Sequence, residues 1–325
     1  MCIRDRNSIY NSAAICYDGK IQSSYDKVLL PTYDVFDEER YFTSGIKPKV
    51  SPIPFGKNLL NVGLQICEDL WDNNYSCKVS AMQKELGAEI IINISASPFH
   101  KDRLVKRRSI IEEKVKSLNL PFLYCNMVGA QDELIFDGQS IGLSDNGNLI
   151  AYGNPFKEEV VLVDTNRKQE LKVNFQLAEE KTYNALCLGV KDYFYKTGHK
   201  EAVIGLSGGI DSALVAAIAT EALGRDKVHG VSLPSKYSSD HSLEDAEDLT
   251  NTLGISYEVI PIQACVDEME QTLKSCFSGH SPNVAEENIQ ARIRGDILMA
   301  LSCLLYTSDA ADEGLGVDLG GRRII

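Results

Sequence analysis

Residues Ala202–Thr220 read AVIGLSGGIDSALVAAIAT. The first residues are apolar and β-branched, the centre is Ser-Gly-Gly-Ile-Asp-Ser, and the remainder is an apolar, alanine-rich run. A strand that breaks at a glycine turn and re-enters as a helix opens a βαβ unit. The downstream sequence keeps that alternation through DSALVAAIATEAL, KVHGVSLP, SLEDAEDLTNTLG, SYEVIPI and CVDEMEQTLKSCF. Such a series predicts right-handed crossovers and a parallel sheet, with ligands at the carboxyl ends of the strands. The Ser207–Ser212 turn falls at one such end.

Working back toward the start, a helix is expected over Leu177–Thr197, and the polar, unpatterned DTNRKQELKV reads as a connection between domains. Before it, NLLNVGLQI (Asn58–Ile66) and GAEIIINIS (Gly87–Ser95) read as buried strands, CKVSAMQKEL between them as a helix, and KDRLVKRRSIIEEKVKSLNL as a longer amphipathic helix. PFLYCNMVGA follows as a strand, and after Asp137 come short hairpin pieces with the turn signals FDG, SDNGN and YGNP. The chain is therefore expected to hold two α/β domains, in keeping with its 325 residues.

Bulk composition narrows the classes. Hydrophobic residues make up 44% and charged residues 24%, as in an ordinary globular protein, and the net charge is −13. That acidity argues against a broad nucleic-acid or anionic-membrane surface. The basic run KDRLVKRR reads as a solvated helix face. No apolar run approaches the ~20 residues that span a bilayer, and MCIRDRNSIY has no apolar segment of a signal peptide. Nine cysteines without a CxxC pair favour free thiols and a reducing, cytoplasmic compartment, and the five scattered histidines form no zinc pattern.

The glycine turn lacks the lysine of GxxxxGK[ST] and the spacing of GxGxxG. It can still gather backbone N–H groups around an oxyanion at a helix N-terminus, with Ser207 and Ser212 as hydroxyl donors. Asp211 approaches a phosphate only through a metal, which implies Mg²⁺. A Gly-Gly turn capped by Asp211 and Ser212 accounts for the same residues without a ligand. The whole string GLSGGIDSA, Gly205, Leu206, Ser207, Gly208, Gly209, Ile210, Asp211 and Ser212 among it, resembles the pyrophosphate loop of the ATP pyrophosphatase superfamily. The resemblance implies ATP cleaved between its α and β phosphates and an adenylated carbonyl or carboxyl oxygen. EENIQARIRG (Glu286–Gly295) and VSLPSKYSSDHSLEDA resemble segments of NAD⁺ synthetases, which implies deamido-NAD⁺ contacts from Asn288 and Arg292, spaced i and i+4 on one helix face. A charged surface helix is the alternative for those two side chains.

LQICEDLW places Cys67 directly after a buried strand, where a nucleophile is exposed on a sharp turn and backed by amides. A buried structural cysteine is the plainer reading of the residue alone. Together with Lys27 and the following LLP, CEDLW resembles the nitrilase-type amidase domain of glutamine-dependent NAD⁺ synthetases. So do NISASPFHKDR and VGAQDELIFDGQS, and the likeness covers most of Tyr25–Ser302 in the same order. It implies a Glu-Lys-Cys triad with Cys67 as nucleophile and Lys27 stabilising the oxyanion, and glutamine held by Tyr33, Glu68, Ser97 and Arg103. Cys2, an alternative nucleophile after methionine removal, lacks the glycine such a cysteine needs next to it.

The resemblance thus implies an α/β chain with a partial nitrilase-type αββα sandwich over 1–165 and a partial doubly wound parallel-sheet domain over 166–302. Its substrates would be small molecules, with ATP and Mg²⁺ required and a homo-oligomeric parent. Two departures stand out. No glutamate precedes Lys27, the first being Glu38, so the triad base and the first strands and helix are expected to be missing. MCIRDR (1–6) and the Gly- and Asp-rich tail over 303–325 resemble translated adapter sequence. The chain as written is accordingly expected to make no NAD⁺. A carbon–nitrogen amidase with a nucleotide-binding appendage is the alternative function.

Overall fold

The computed structural model describes residues 2–5, 8–167, 169–278 and 284–305. The tail from Tyr306 onward, GLGVDLGG included, and Met1 and Arg6 of the opening segment lie outside them. The chain divides into two units, meeting between Ala185 and Leu186.

The first unit opens with β1 (Cys2–Asp5), β2 (Ser8–Tyr17) and β3 (Lys20–Asp26), an antiparallel meander in that order. Asp18 and Gly19, at φ 49° and 70°, form the β2–β3 turn, the left-handed pair that tight hairpins use. A six-stranded sheet follows, built from β4 (Ser51–Phe55), β5 (Asn58–Ile66), β6 (Ile90–Ser95), β7 (Phe122–Asn126), β10 (Ile141–Leu143) and β11 (Leu149–Tyr152). Its order is β11-β10-β7-β6-β5-β4, parallel at the centre (β5-β6-β7) and antiparallel outside. A separate hairpin, β8 (Val128–Gln131) with β9 (Leu134–Asp137), interrupts the run.

The central strands are apolar on both faces because both are covered. On one face Ile91, Phe122, Tyr124 and Leu143 pack with Ile111 and Val115 of α2 (Arg103–Leu118), the long amphipathic helix. On the other, Leu64 and Ile66 pack with Ala13 and Tyr25 of the meander. A helix layer and two β layers are thus present in this unit. The shorter α1 (Val79–Glu85) sits against β5 through Gln83. Gly63 makes room for it, since a Cβ there would lie 2.8 Å from Gln83 Oε1 and 2.6 Å from Ile91 Cδ1.

The division at Ala185 falls inside α3 (Ala178–Thr197). The polar stretch after Asp164 stays with the first unit because its few apolar residues, Leu171 and Val173, pack against the α2-side core.

In the second unit, β12 (Ala202–Gly205), β13 (Val228–Ser232) and β14 (Ser256–Val259) form a parallel sheet in chain order. The crossovers are α4 (Ile210–Leu223) and α5 (Asp240–Leu253). Their apolar side chains, Ala216 and Ala246 among them, cluster with Leu206 and Ile204. A second cluster joins Val231 and Leu233 to Val266 of α6 (Gln263–Thr272) and Ile293 of α8 (Val284–Leu305), with the short α7 (Lys274–Phe277) between these helices in sequence. Separate apolar clusters join the sheet to α4/α5 and to α6/α8, the doubly wound arrangement that the resemblance implies.

Candidate functional sites

Cys67 follows β5 directly and opens a 3₁₀ turn, Cys67–Leu70. Its φ is +44°, a left-handed conformation that costs a β-carbon-bearing residue about 1–2 kcal/mol. The turn is held by its neighbours. Asn93 Nδ2 donates to the Cys67 carbonyl at 3.3 Å, and the Ser95 hydroxyl donates to Asn93 Oδ1 at 2.7 Å.

Asp69, two residues on, ties this elbow to the segment that carries Lys27. Its buried carboxylate accepts from Ile66 N–H at 3.0 Å, from Leu29 N–H at 3.0 Å, from Val28 N–H at 3.2 Å and from the Tyr25 hydroxyl at 2.9 Å. Burial pushes the Asp69 carboxyl up to about 6, against the hydrogen bonds from Ile66, Leu29 and Tyr25. Lys27 itself is 1% exposed, and its ammonium donates to Glu38 Oε1 at 2.6 Å. Burial pushes the Cys67 thiol above its ordinary value; Lys27 is the chief opposing charge, Glu68 and Glu38 push it further up, and a hydrogen bond with Ser95 pulls it down.

The residues expected around glutamine divide into two groups. Tyr33 and Glu68 meet: the half-exposed Tyr33 hydroxyl lies 3.1 and 2.9 Å from the two oxygens of the buried Glu68 carboxylate, and the Tyr75 hydroxyl donates at 3.1 Å. Burial raises Glu68 above the usual carboxylate range, while both tyrosines and Lys27 lower it. Tyr33 is raised by burial and by Glu68. Ser97 is buried beyond β6, and Arg103 begins α2 with its guanidinium 5.6 Å from the Trp71 ring. Arg103 Nε is buried without a hydrogen-bond partner, a donor that a carboxylate would satisfy.

Glu38, Asp69 and Tyr75 were not singled out in the sequence. Nothing in a single chain pairs Asp69 with an amide 40 residues away. For Glu38 a signal did exist: it is the first glutamate after Lys27, 11 positions on, in an acidic FDEER turn.

In the second unit a cavity of about 480 Å³ opens at the carboxyl ends of β12 and β13. Gly205, Leu206 and Ser207 line it, together with Ser232, Ser239 and Arg294. Gly208–Ser212 form the adjoining turn. Gly208 has φ +76°, and a Cβ there would meet the Ser242 backbone at 2.5 Å, so only glycine fits. Ser212 Oγ donates to the Gly209 carbonyl at 2.9 Å and accepts from Ser207 N–H at 3.3 Å. Asp211 is exposed on the first turn of α4. Asn288 and Arg292 are exposed on α8 and do not line this cavity; Arg294, two residues on, does, with Nε donating to the Leu233 carbonyl at 3.0 Å.

Residues 3–171 match the family model for carbon-nitrogen hydrolases. The chain belongs to the carbon-nitrogen hydrolase family. Behind the carbon-nitrogen hydrolase region, residues 182–308 match the NAD synthase model. Among curated proteins, the chain is 41% identical over 330 aligned positions to the glutamine-dependent NAD(+) synthetase of Thermotoga maritima, covering 90% of this chain and 56% of that protein. It is 38% identical to the synthetase of the same description from Synechocystis sp., covering 96% and 58%. The solved structure of the glutamine-dependent NAD⁺ synthetase from Acinetobacter baumannii in complex with ADP superposes with a TM-score of 0.84 at 33% identity, over 93% of this chain and 57% of that one. The chain thus spans little more than half the length of the relatives it matches.

Proposed function

We propose that this chain is part of a glutamine-dependent NAD⁺ synthetase. The observation that carries the reading is Cys67 at a strained strand end, its turn tied through Asp69 to the segment that carries the buried Lys27, in one chain with the Ser207–Ser212 turn beside a cavity. Cys67 attacks the side-chain amide of glutamine, ammonia leaves, and water hydrolyses the thioester. Lys27, held by its ion pair with Glu38, offsets the negative charge that develops on the amide oxygen. Glu68 with Tyr33 suits the substrate's ammonium, and Arg103, with its unpaired Nε, suits its carboxylate.

In the second unit the cavity would take ATP, with Gly205–Ser212 along the phosphates, and deamido-NAD⁺ would be adenylated at its nicotinate carboxylate before ammonia displaces AMP. Asn288 and Arg292 are proposed for deamido-NAD⁺. Among the described residues no group of three or more potential metal ligands occurs. Asp211, an exposed carboxylate on the first turn of α4, would hold Mg²⁺, an ion that takes most of its oxygens from phosphate and water. Bound there, Mg²⁺ would offset charge on the departing pyrophosphate. The exposed Ile210, Leu214 and Val215 of α4 fit a homo-oligomer, and the free thiols fit a cytoplasmic setting. Among the described residues no helix is long and apolar enough to cross a membrane.

The test is made in the protein that carries this chain. Cys67→Ala should abolish NAD⁺ formation from glutamine and spare formation from ammonia. Asp211→Asn should cut adenylation by about a hundredfold or more while glutamine hydrolysis survives. Loss of both activities in a folded Cys67→Ala protein contradicts the two-site reading, and the amidase-with-appendage alternative predicts no AMP release dependent on deamido-NAD⁺.

A further inference from the structure

Deep in the first unit, an ion pair grips the backbone of Ser97. Arg107 of α2 is fully buried and Asp137, at the end of β9, is 1% exposed. Arg107 Nη1 donates to both Asp137 oxygens, at 2.9 and 3.1 Å, while Nη2 donates to the Ser97 carbonyl at 2.8 Å. Asn126 completes the grip. Its Oδ1 accepts from Ser97 N–H at 2.9 Å, and its Nδ2 donates to the Ser97 carbonyl at 3.3 Å and to Asp137 Oδ1 at 3.2 Å. Both backbone polar groups of Ser97 are therefore held by these side chains, in a stretch outside regular secondary structure.

The same guanidinium lies 5.7 Å from the ring of buried Tyr124. The Tyr124 hydroxyl in turn donates to Asn126 Oδ1 at 3.4 Å. Buried ion pairs are poor stabilisers, because desolvation offsets the attraction; apolar replacement of both partners is often neutral. What this pair supplies is geometry: one guanidinium nitrogen is fixed on Asp137 so that the other can fix a loop carbonyl. Lysine, a point donor on a flexible stem, cannot do both.

We propose that Arg107, Asp137 and Asn126 are positioning residues for glutamine, holding Ser97 in the orientation that receives the substrate without touching it themselves. The inference rests on the glutaminase reading of the first unit.

The test measures covalent labelling of Cys67, in the protein that carries this chain, by an electrophilic glutamine analogue (6-diazo-5-oxo-norleucine), separating the half-saturation constant from the maximal rate, with iodoacetamide as a probe that needs no glutamine pocket. Arg107→Lys should raise the half-saturation constant about tenfold or more, since misplacement of about 1 Å can cost a hundredfold, and leave iodoacetamide alkylation of Cys67 unchanged. The double variant Arg107→Met/Asp137→Leu removes both buried charges; its Tm should return toward the wild type while the labelling defect stays. A double variant with wild-type Tm and a wild-type half-saturation constant would show that the pair is structural only. Parallel loss of iodoacetamide reactivity would also overturn the proposal, by placing the effect on the nucleophile. If the double variant does not fold, Asn126→Ser decides by the same two readouts. Wild-type labelling that free glutamine does not slow refutes the glutaminase reading itself, a result distinct from either.

Discussion

Replacing Gly208 by alanine tests whether the glycine turn of the second unit is fixed by sterics. Two costs add. The φ of +76° costs an L-residue about 1–2 kcal/mol. The new Cβ would lie 2.5 Å from the Ser242 carbonyl oxygen and 2.6 Å from its Cα, and backbone cannot rotate away, so overpacking adds about 1–3 kcal/mol. The expected loss is about 2–5 kcal/mol, or about 6–20 °C in the Tm of a unit this size. Gly209 is the internal comparison. Its φ is −89°, and a Cβ there meets only the Ser207 hydroxyl at 3.2 Å, which can turn aside. Gly209→Ala should cost about 1 kcal/mol or less. Calorimetry reads the second unit, and fluorescence of Trp71, the single tryptophan, reads the first and should not move. Equal destabilisation by the two alanines would refute the reasoning.

Two further outcomes follow from the first unit. Because the folded Asp69 carboxyl titrates near pH 6, above its unfolded value of about 3.9, the native chain binds more protons in that interval. Its contribution is fully present below about pH 3.9 and declines as pH rises through about 6, so the Tm difference between the wild type and Asp69→Asn should shift against the wild type from pH 4 to 6.5 and then level off; a flat difference contradicts the assignment. Lys27→Met removes the main charge that lowers the Cys67 thiol, so alkylation of Cys67 at pH 8 should slow, and an unchanged or faster rate would place Lys27 outside the thiol's field.

Much of the frame was legible because burial writes itself into periodicity. Asn58–Ile66 is a strand at those residues, and α2 runs within the expected amphipathic stretch. Two strand regions are not legible in this way. Ser8–Tyr17 and Lys20–Asp26 break their apolar residues with four serines, Ser8, Ser12, Ser23 and Ser24, although the Asp18-Gly19 turn signal is there. Ser51–Phe55 carries Pro52 and Pro54, which argue against a strand; it is tolerated because β4 is the sheet edge and needs no second ladder. At the sites, Cys67 and the glycine turn were marked by local sequence. Their supports were not: Glu38 on Lys27, Asp69 on Val28 and Leu29, and Arg107 on Asp137 and Ser97 are contacts across the fold, and no local pattern encodes them.

The most direct measurement is to mix the protein that carries this chain with glutamine, quench in acid, and map the γ-glutamyl thioester by peptide mass spectrometry. Nine cysteines compete for the assignment. The account predicts one adduct, on the peptide containing Cys67, absent from Cys67→Ala. Adducts spread over exposed thiols such as Cys16 and Cys125, or glutamine hydrolysis undiminished in Cys67→Ala, would contradict it.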